Sequence, residues 1–136
     1  MDEMNLQILD VADVILLVTT PEVAAITNTA RFLEVARRVG YDRKLQVVLN
    51  RANSGINIEI IEETLGCKVR SRLVSDGRAA VDSANQGVPL LISDPQALRP
   101  LTRGIVNIVE QLAGIGNRNT ASPSKNVLSF MRKRAG

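Results

Sequence analysis

Three short polar segments stand at the ends of apolar runs in this sequence, and their residue types suit ligand recognition: Thr19-Thr20-Pro21-Glu22, Asn50-Arg51-Ala52-Asn53 and Val74-Ser75-Asp76-Gly77. The amide of Asn50 both donates and accepts, which fits the edge of a purine base. The alternative is that an asparagine leaving a strand satisfies the backbone of the loop it enters. The sequence has no histidine, so the commonest general base and metal ligand is missing. The single cysteine, Cys67, has no second thiol to pair with and no base in its neighbourhood of the sequence, and reads as a small, partly buried residue. There is no Gly-x-x-x-x-Gly-Lys-Ser/Thr loop, in which backbone amides wrap phosphates while the lysine and hydroxyl meet charge and magnesium. Gly-x-Gly-x-x-Gly, Cys-x-x-Cys and Gly-x-Ser-x-Gly are absent too. Nothing in these 136 residues reads as catalytic machinery.

The elements that must carry these segments alternate. Met4 to Ala12 places Leu6, Leu9 and Ala12 at helical spacing and predicts a short helix. Asp13-Val-Ile-Leu-Leu-Val-Thr-Thr20 is then a continuous aliphatic run, the pattern of a strand buried on both faces in a parallel sheet. Thr20, Pro21 and Glu22 supply an N-cap, a proline at the first helical position and an acid in the first turn. The helix they open extends over residues 21–39 and stops at Gly40, with Val23, Ile26, Ala30, Leu33 and Ala36 toward a core. Residues 45–49 form the next buried strand, completing a right-handed βαβ unit. Asn57 caps a helix over residues 58–65 that Gly66 ends. Residues 68–74 make a third strand, residues 78–85 a helix, and residues 88–92 a loop or an edge strand. A last helix reaches Leu112 and begins at Asp94-Pro95 or only at Pro100. The fold class is α/β: a partial parallel sheet flanked by helices over residues 1–114, a flexible linker over 115–124 and a basic tail over 125–136. In such a sheet ligands bind beyond the carboxyl ends of the strands, which puts the three polar segments on one rim.

Composition sets the class. Apolar residues are 45% and charged residues 23%, as in ordinary globular proteins. Rings occur only at Phe32, Tyr41 and Phe130, too few for a base-stacking platform along single-stranded nucleic acid. The net charge is +3, and five of the seventeen basic residues lie after residue 116, where there is no acid. Attraction to an anionic surface therefore belongs to the tail. Lys125, Val127, Leu128, Phe130, Met131, Arg132, Lys133 and Arg134 can be laid on a helix with the four apolar residues within an arc of about 160°. That pattern fits a weak membrane anchor, a disordered solvated tail or, less well, a DNA contact. The acidic Met1-Asp2-Glu3 start and the lone cysteine point to the cytoplasm.

The succession Ala12-Asp13-Val-Ile-Leu-Leu-Val-Thr-Thr-Pro21-Glu22, Val47-Val-Leu-Asn50-Arg51, Ser75-Asp76 and Ser83-Ala84-Asn85-Gln86-Gly87-Val88-Pro89-Leu90 resembles the C-terminal half of a ParA/MinD-type P-loop ATPase. The CpaE/TadZ-like branch of that group is the preferred match, and the resemblance covers residues 6–112. It implies that Asn50 contacts an adenine base with Arg51 beside it, and that Ser75 and Asp76 belong to the loop flanking the base. In that loop Val74 replaces the family's usual proline. The resemblance further implies ATP or ADP with magnesium as the parent family's cofactor, homodimerisation, and a protein partner in pilus, septum or DNA positioning. The family's deviant Walker A loop, switch I and magnesium-binding aspartates would fall before Met1. A fragment of a larger ATPase or a degenerate descendant is therefore expected, a fragment or an internally started reading frame being favoured, with no ATP turnover by this chain alone. MinD-like proteins are similar in ending on a short amphipathic helix, which extends the expected location to the inner face of the cell membrane. The competing reading is a non-enzymatic α/β interaction module whose tail touches membrane or DNA.

Overall fold

A computed structural model describes residues 3–114, with side chains from Leu6 onward, as two compact units that divide between Arg72 and Leu73. The first unit runs α1 (Glu3–Val11), β1 (Ile15–Thr19), α2 (Val23–Arg38), β2 (Leu45–Leu49), α3 (Ile58–Leu65) and β3 (Val69–Arg72). Its three strands form a parallel sheet in the order β1-β2-β3, with Ile15 opposite Leu45 and Thr19 opposite Leu49. A register shift interrupts the pairing of β2 with β3 at Val47 and Val48.

The core of this unit is aliphatic and lies on one face of the sheet. Ile26 and Leu33 of α2, Val47 and Leu49 of β2, and Ile61 and Leu65 of α3 are buried together, with Leu17, Ala30, Leu45 and Val69 packed against them. Each large aliphatic side chain removed from water contributes about 1.5–3 kcal/mol, so this cluster is the main stabilising feature of the unit. Polar bonds fix the helices at its margins. Arg37 donates to the carbonyls of Leu65 (3.1 Å) and Gly66 (3.0 Å), satisfying the exposed end of α3 with a cation. Lys44 donates to the carbonyls of Leu9 and Asp10, and Tyr41 donates to the Asp10 carboxylate, which ties α1 to the start of β2.

Several local expectations hold. Asn57 Oδ1 accepts from the Glu59 N–H at 2.9 Å, and Gly66 closes α3 in the left-handed conformation. Two do not. The run through β1 is not buried on both faces: Leu16 and Val18 are 38% and 59% exposed, while Ile15, Leu17 and Thr19 turn to the covered side. Successive side chains of a strand face opposite ways, and α2 and α3 contribute their apolar residues to one face alone. The start of α2 also differs. Its N-cap is Glu22, which makes no capping bond, and Val23 is 82% exposed rather than in the core. The Glu22 carboxylate is turned instead to Arg51, 2.7 Å away.

The second unit holds α4 (Gly77–Gln86), α5 (Leu90–Ser93) and α6 (Pro100–Leu112). Asp76 caps α4 by accepting from the Ala79 N–H at 3.1 Å, and Gly87 ends it in the left-handed region. The segment expected as a loop or edge strand is a single helical turn. Pro89 precedes it, and the Pro89 carbonyl accepts from the Ile92 and Ser93 N–H groups, so its polar backbone is satisfied locally without a neighbouring strand. Of the two starts expected for the last helix, the later occurs: Pro100 occupies its first turn. The buried Asp94 accepts from the Leu98 and Arg99 N–H groups and holds the turn ahead of it. Those bonds, the Arg99 one foremost, keep the Asp94 carboxyl below its usual pKa. The linker over 115–124 and the tail from Lys125 to Arg134 lie outside the described residues.

Candidate functional site

Asn50 is the residue that follows β2. Its backbone N–H donates to the Thr19 carbonyl at 2.8 Å, so the ends of β1 and β2 stay laced together beyond the last sheet pair. Its side-chain oxygen accepts from the Arg51 N–H at 2.9 Å, closing a small turn. This modifies the expectation of an amide free both to donate and to accept: the oxygen serves the backbone, and the two N–H groups of Asn50 are the donors available to a ligand. A donor there matches a ring-nitrogen acceptor on a base. Of the two alternatives open in the sequence, the one in which the side chain satisfies the loop backbone is what the Asn50 oxygen does.

Arg51 adopts a φ of +57°, one of two non-glycine residues in the left-handed region among those described; the other is Ala97. Such a conformation costs about 1 kcal/mol for a residue with a β-carbon and persists only where surrounding bonds hold it. Two bonds do so here, the Asn50 side chain on the Arg51 N–H and the Glu22 carboxylate on its guanidinium. Glu22 is itself held below its usual pKa, first by the Thr20 hydroxyl, then by its own backbone N–H, with Arg51 adding an opposite charge. Beneath this corner the buried hydroxyls of Thr19 and Thr29 are hydrogen-bonded to each other at 2.9 Å. The result is a polar platform at the carboxyl ends of two neighbouring parallel strands, supported from below by α2.

Ser75 and Asp76 belong to the second unit. Ser75 is exposed, and Asp76 is half-buried at the start of α4. Besides capping Ala79, Asp76 faces Arg99 at 3.5 Å. Of the four residues expected at the base site, the structure thus gathers Asn50 and Arg51 in one corner and Ser75 and Asp76 at one helix start, each pair within its own unit. The tail residues expected at an anionic surface lie outside the described residues.

Three participants were not singled out as site residues from the sequence. Glu22 was placed on the rim but not paired with Arg51, because 29 positions separate them and no local pattern links them. Arg99 and Asp76 are separated by 23 positions. Thr29 was legible in principle: Ile26, Thr29, Leu33 and Ala36, all buried, recur at helical spacing, and a polar residue on that line calls for a buried partner. Cys67 is half-buried and its thiol is pushed up in pKa, chiefly by burial, as suits an inert side chain.

No family model and no curated protein matches this chain. Solved structures do. A ParA family ATPase from Chlorobium tepidum superposes with a TM-score of 0.72 at 24% identity, over 79% of this chain and 45% of the other. MinD from Aquifex aeolicus superposes with a TM-score of 0.65 at 20% identity, over 81% of this chain and 48% of its own. The Aquifex MinC:MinD cell division complex gives 0.64 at 21% identity, over 82% and 47%. The fold is that of ParA and MinD. At these identities the likeness establishes the ParA/MinD fold and nothing finer, and the chain spans less than half the length of each of these structures. On that fold the Asn50 corner is at the end of the sheet where nucleotide-type ligands of open parallel sheets sit. Magnesium is another matter: among the described residues no three His, Cys, Asp or Glu side chains are grouped to hold a metal ion. Phosphate and metal chemistry are assigned to none of the described residues. No helix among the described residues is long and apolar enough to cross a membrane.

Proposed function

We propose that this chain is the C-terminal portion of a ParA/MinD-type ATPase, with the CpaE/TadZ-like branch preferred, and that it supplies the adenine-side wall of the nucleotide site and part of a homodimer surface. The observation that carries the reading is the Asn50-Arg51 corner. A strained arginine and an asparagine with two unused donors, locked by Glu22 at the carboxyl ends of adjacent parallel strands, is an arrangement that loop packing alone does not require. Asn50 donates to the base and Arg51 frames it; Ser75 and Asp76, at the start of α4, are further nucleotide contacts in this reading. The role is the spatial positioning of a pilus, septum or DNA cargo through a protein partner, in the cytoplasm or at the inner face of the membrane, where the tail touches anionic lipid.

ATP and ADP are the ligands, and magnesium enters with the phosphates outside this chain. Turnover by these 136 residues is not expected, because the phosphate-wrapping loop is absent from them. The test compares ATP affinity of the purified chain with that of Asn50→Ala. Loss of one donor to a partly buried base predicts about a five- to tenfold weakening. Equal affinity in the two proteins would remove Asn50 from the site.

A further inference from the structure

A closed ring of contacts runs through the Asn50-Arg51 corner and back through the core. Asn50 Oδ1 accepts from the Arg51 N–H, and the Arg51 guanidinium meets the Glu22 carboxylate at 2.7 Å. Glu22 is the N-cap of α2, and Thr29 lies about two turns further along that helix, on its buried line with Ile26, Leu33 and Ala36. The Thr29 hydroxyl donates to that of Thr19, the last residue of β1, at 2.9 Å. The Thr19 carbonyl accepts the Asn50 N–H at 2.8 Å, which closes the ring. Thr19 and Thr29 are 4% and 7% exposed. The Thr29 oxygen also lies 2.8 Å from the Ala25 carbonyl, a local contact open to any helical threonine, whereas the contact with Thr19 joins two elements.

Stability alone does not call for this pair. Two valines would fill the same volume, and replacing both partners of a buried hydrogen bond by apolar groups of like shape is nearly neutral. What the hydroxyls add is register. Apolar contacts between a helix and a strand tolerate sliding, whereas an Oγ–Oγ bond is met at one setting of α2 against the end of β1. That setting matters at the rim, because Glu22 stands at the start of α2 while Asn50 is bonded to the end of β1. A shift of the helix along the strand pulls the carboxylate away from Arg51, whose φ of +57° persists only while the surrounding bonds hold it. We propose that Thr29 is a positioning residue of the Asn50-Arg51 corner: through Thr19 it fixes the register of α2 and so keeps Arg51 and the Asn50 amide in their ligand-ready arrangement. The inference deepens the functional reading above and rests on it for the identity of the ligand.

The test is the double variant Thr19→Val/Thr29→Val, with Thr29→Val and Thr29→Ser beside it. The double variant should unfold at the denaturant midpoint of the unmodified chain, since neither hydroxyl is left behind unpaired. Without nucleotide, its Arg51 backbone carbon shifts should move away from the left-handed pattern, while Thr29→Ser keeps them. With ATP, its dissociation constant should rise about fivefold, as follows when the competent arrangement is populated about one fifth of the time. If the double variant does not fold, Thr29→Val against Thr29→Ser carries the same two readouts. Unchanged Arg51 shifts or unchanged ATP affinity in the valine variant overturn the proposal, and so do Arg51 shifts that move as far in Thr29→Ser, which would show a packing role. Altered Arg51 shifts in the valine variant of a chain that binds no ATP in its unmodified form support Thr29 as the positioning residue and remove the nucleotide reading instead.

Discussion

Neighbouring residues of one strand show how differently the two faces of the sheet are used. Leu17 packs with Val47, Leu49, Ile61 and Leu65 under α2 and α3, while Leu16 and Val18, of the same chemical type, are 38% and 59% exposed. Composition does not distinguish them. What does is which face the crossover helices occupy, and α2 and α3 add their apolar side chains to the same core. One face thus holds the Asn50 corner in place, while on the other Val48 is 2% exposed and its register partner Val18, on the edge strand, is 59% exposed.

The contrast can be broken from the covered side first. Leu65→Ala, at a side chain 2% exposed, is expected to cost about 2–5 kcal/mol by lost transfer and the cavity left behind, read from denaturant unfolding. Thr29→Val keeps the shape but removes the donor to the buried Thr19 hydroxyl, which keeps only its 3.5 Å contact with the Thr20 carbonyl, and is expected to cost about 1–3 kcal/mol. At the start of α4, Asp76→Ala removes the cap on Ala79 and should cost about 0.5–2 kcal/mol, seen as faster amide exchange in the first turn of that helix.

Acid sharpens the comparison in another way. Glu62 is held below its usual pKa, mainly by Lys68 and then by the Val69 N–H, and Asp94 is held low by the Arg99 and Leu98 N–H groups. A carboxylate with a depressed folded pKa gives stability that is fully present above its unfolded value, near 4 for these groups, and that is lost as pH falls through the folded one. Thermal melts should therefore be level through neutral pH and fall below about pH 4, with a shallower fall in Asp94→Asn. The smallest effect is expected at the edge strand: Val18→Thr, at a side chain 59% exposed, should change the stability of the isolated chain by no more than about 0.5 kcal/mol. A cost like that of Leu65→Ala would mean that this side chain is covered after all.

Much of the architecture is written in local chemistry. The Asn57 cap, the Gly66 stop and the switch from a β-branched run to helical spacing after Pro21 each act within a few residues, so the order and spacing of elements through β3 were legible. The Asn50-Arg51 pair was legible as the end of the second strand for the same reason. The single turn after Pro89 was not, because a short apolar run of four residues has no period that separates strand from helix. Nor was the exposure of Leu16 and Val18 on β1. A continuous aliphatic run states what environment the strand suits, whereas the covering of those side chains depends on segments distant in the chain. The Glu22 and Arg51 pairing was hidden too, since an ion pair between two loops leaves no periodic trace.

The measurement that meets the central claim most directly is a titration of the purified chain with ATP and ADP, with and without magnesium, followed by the backbone and side-chain amide resonances of Asn50 and the backbone amide of Asp76. The account predicts saturable shifts at both residues, including the Asn50 side-chain N–H groups, with either nucleotide and little dependence on magnesium. Silence at both residues in a demonstrably folded chain would contradict it, and would leave a ParA/MinD fold without a nucleotide-binding role in this chain.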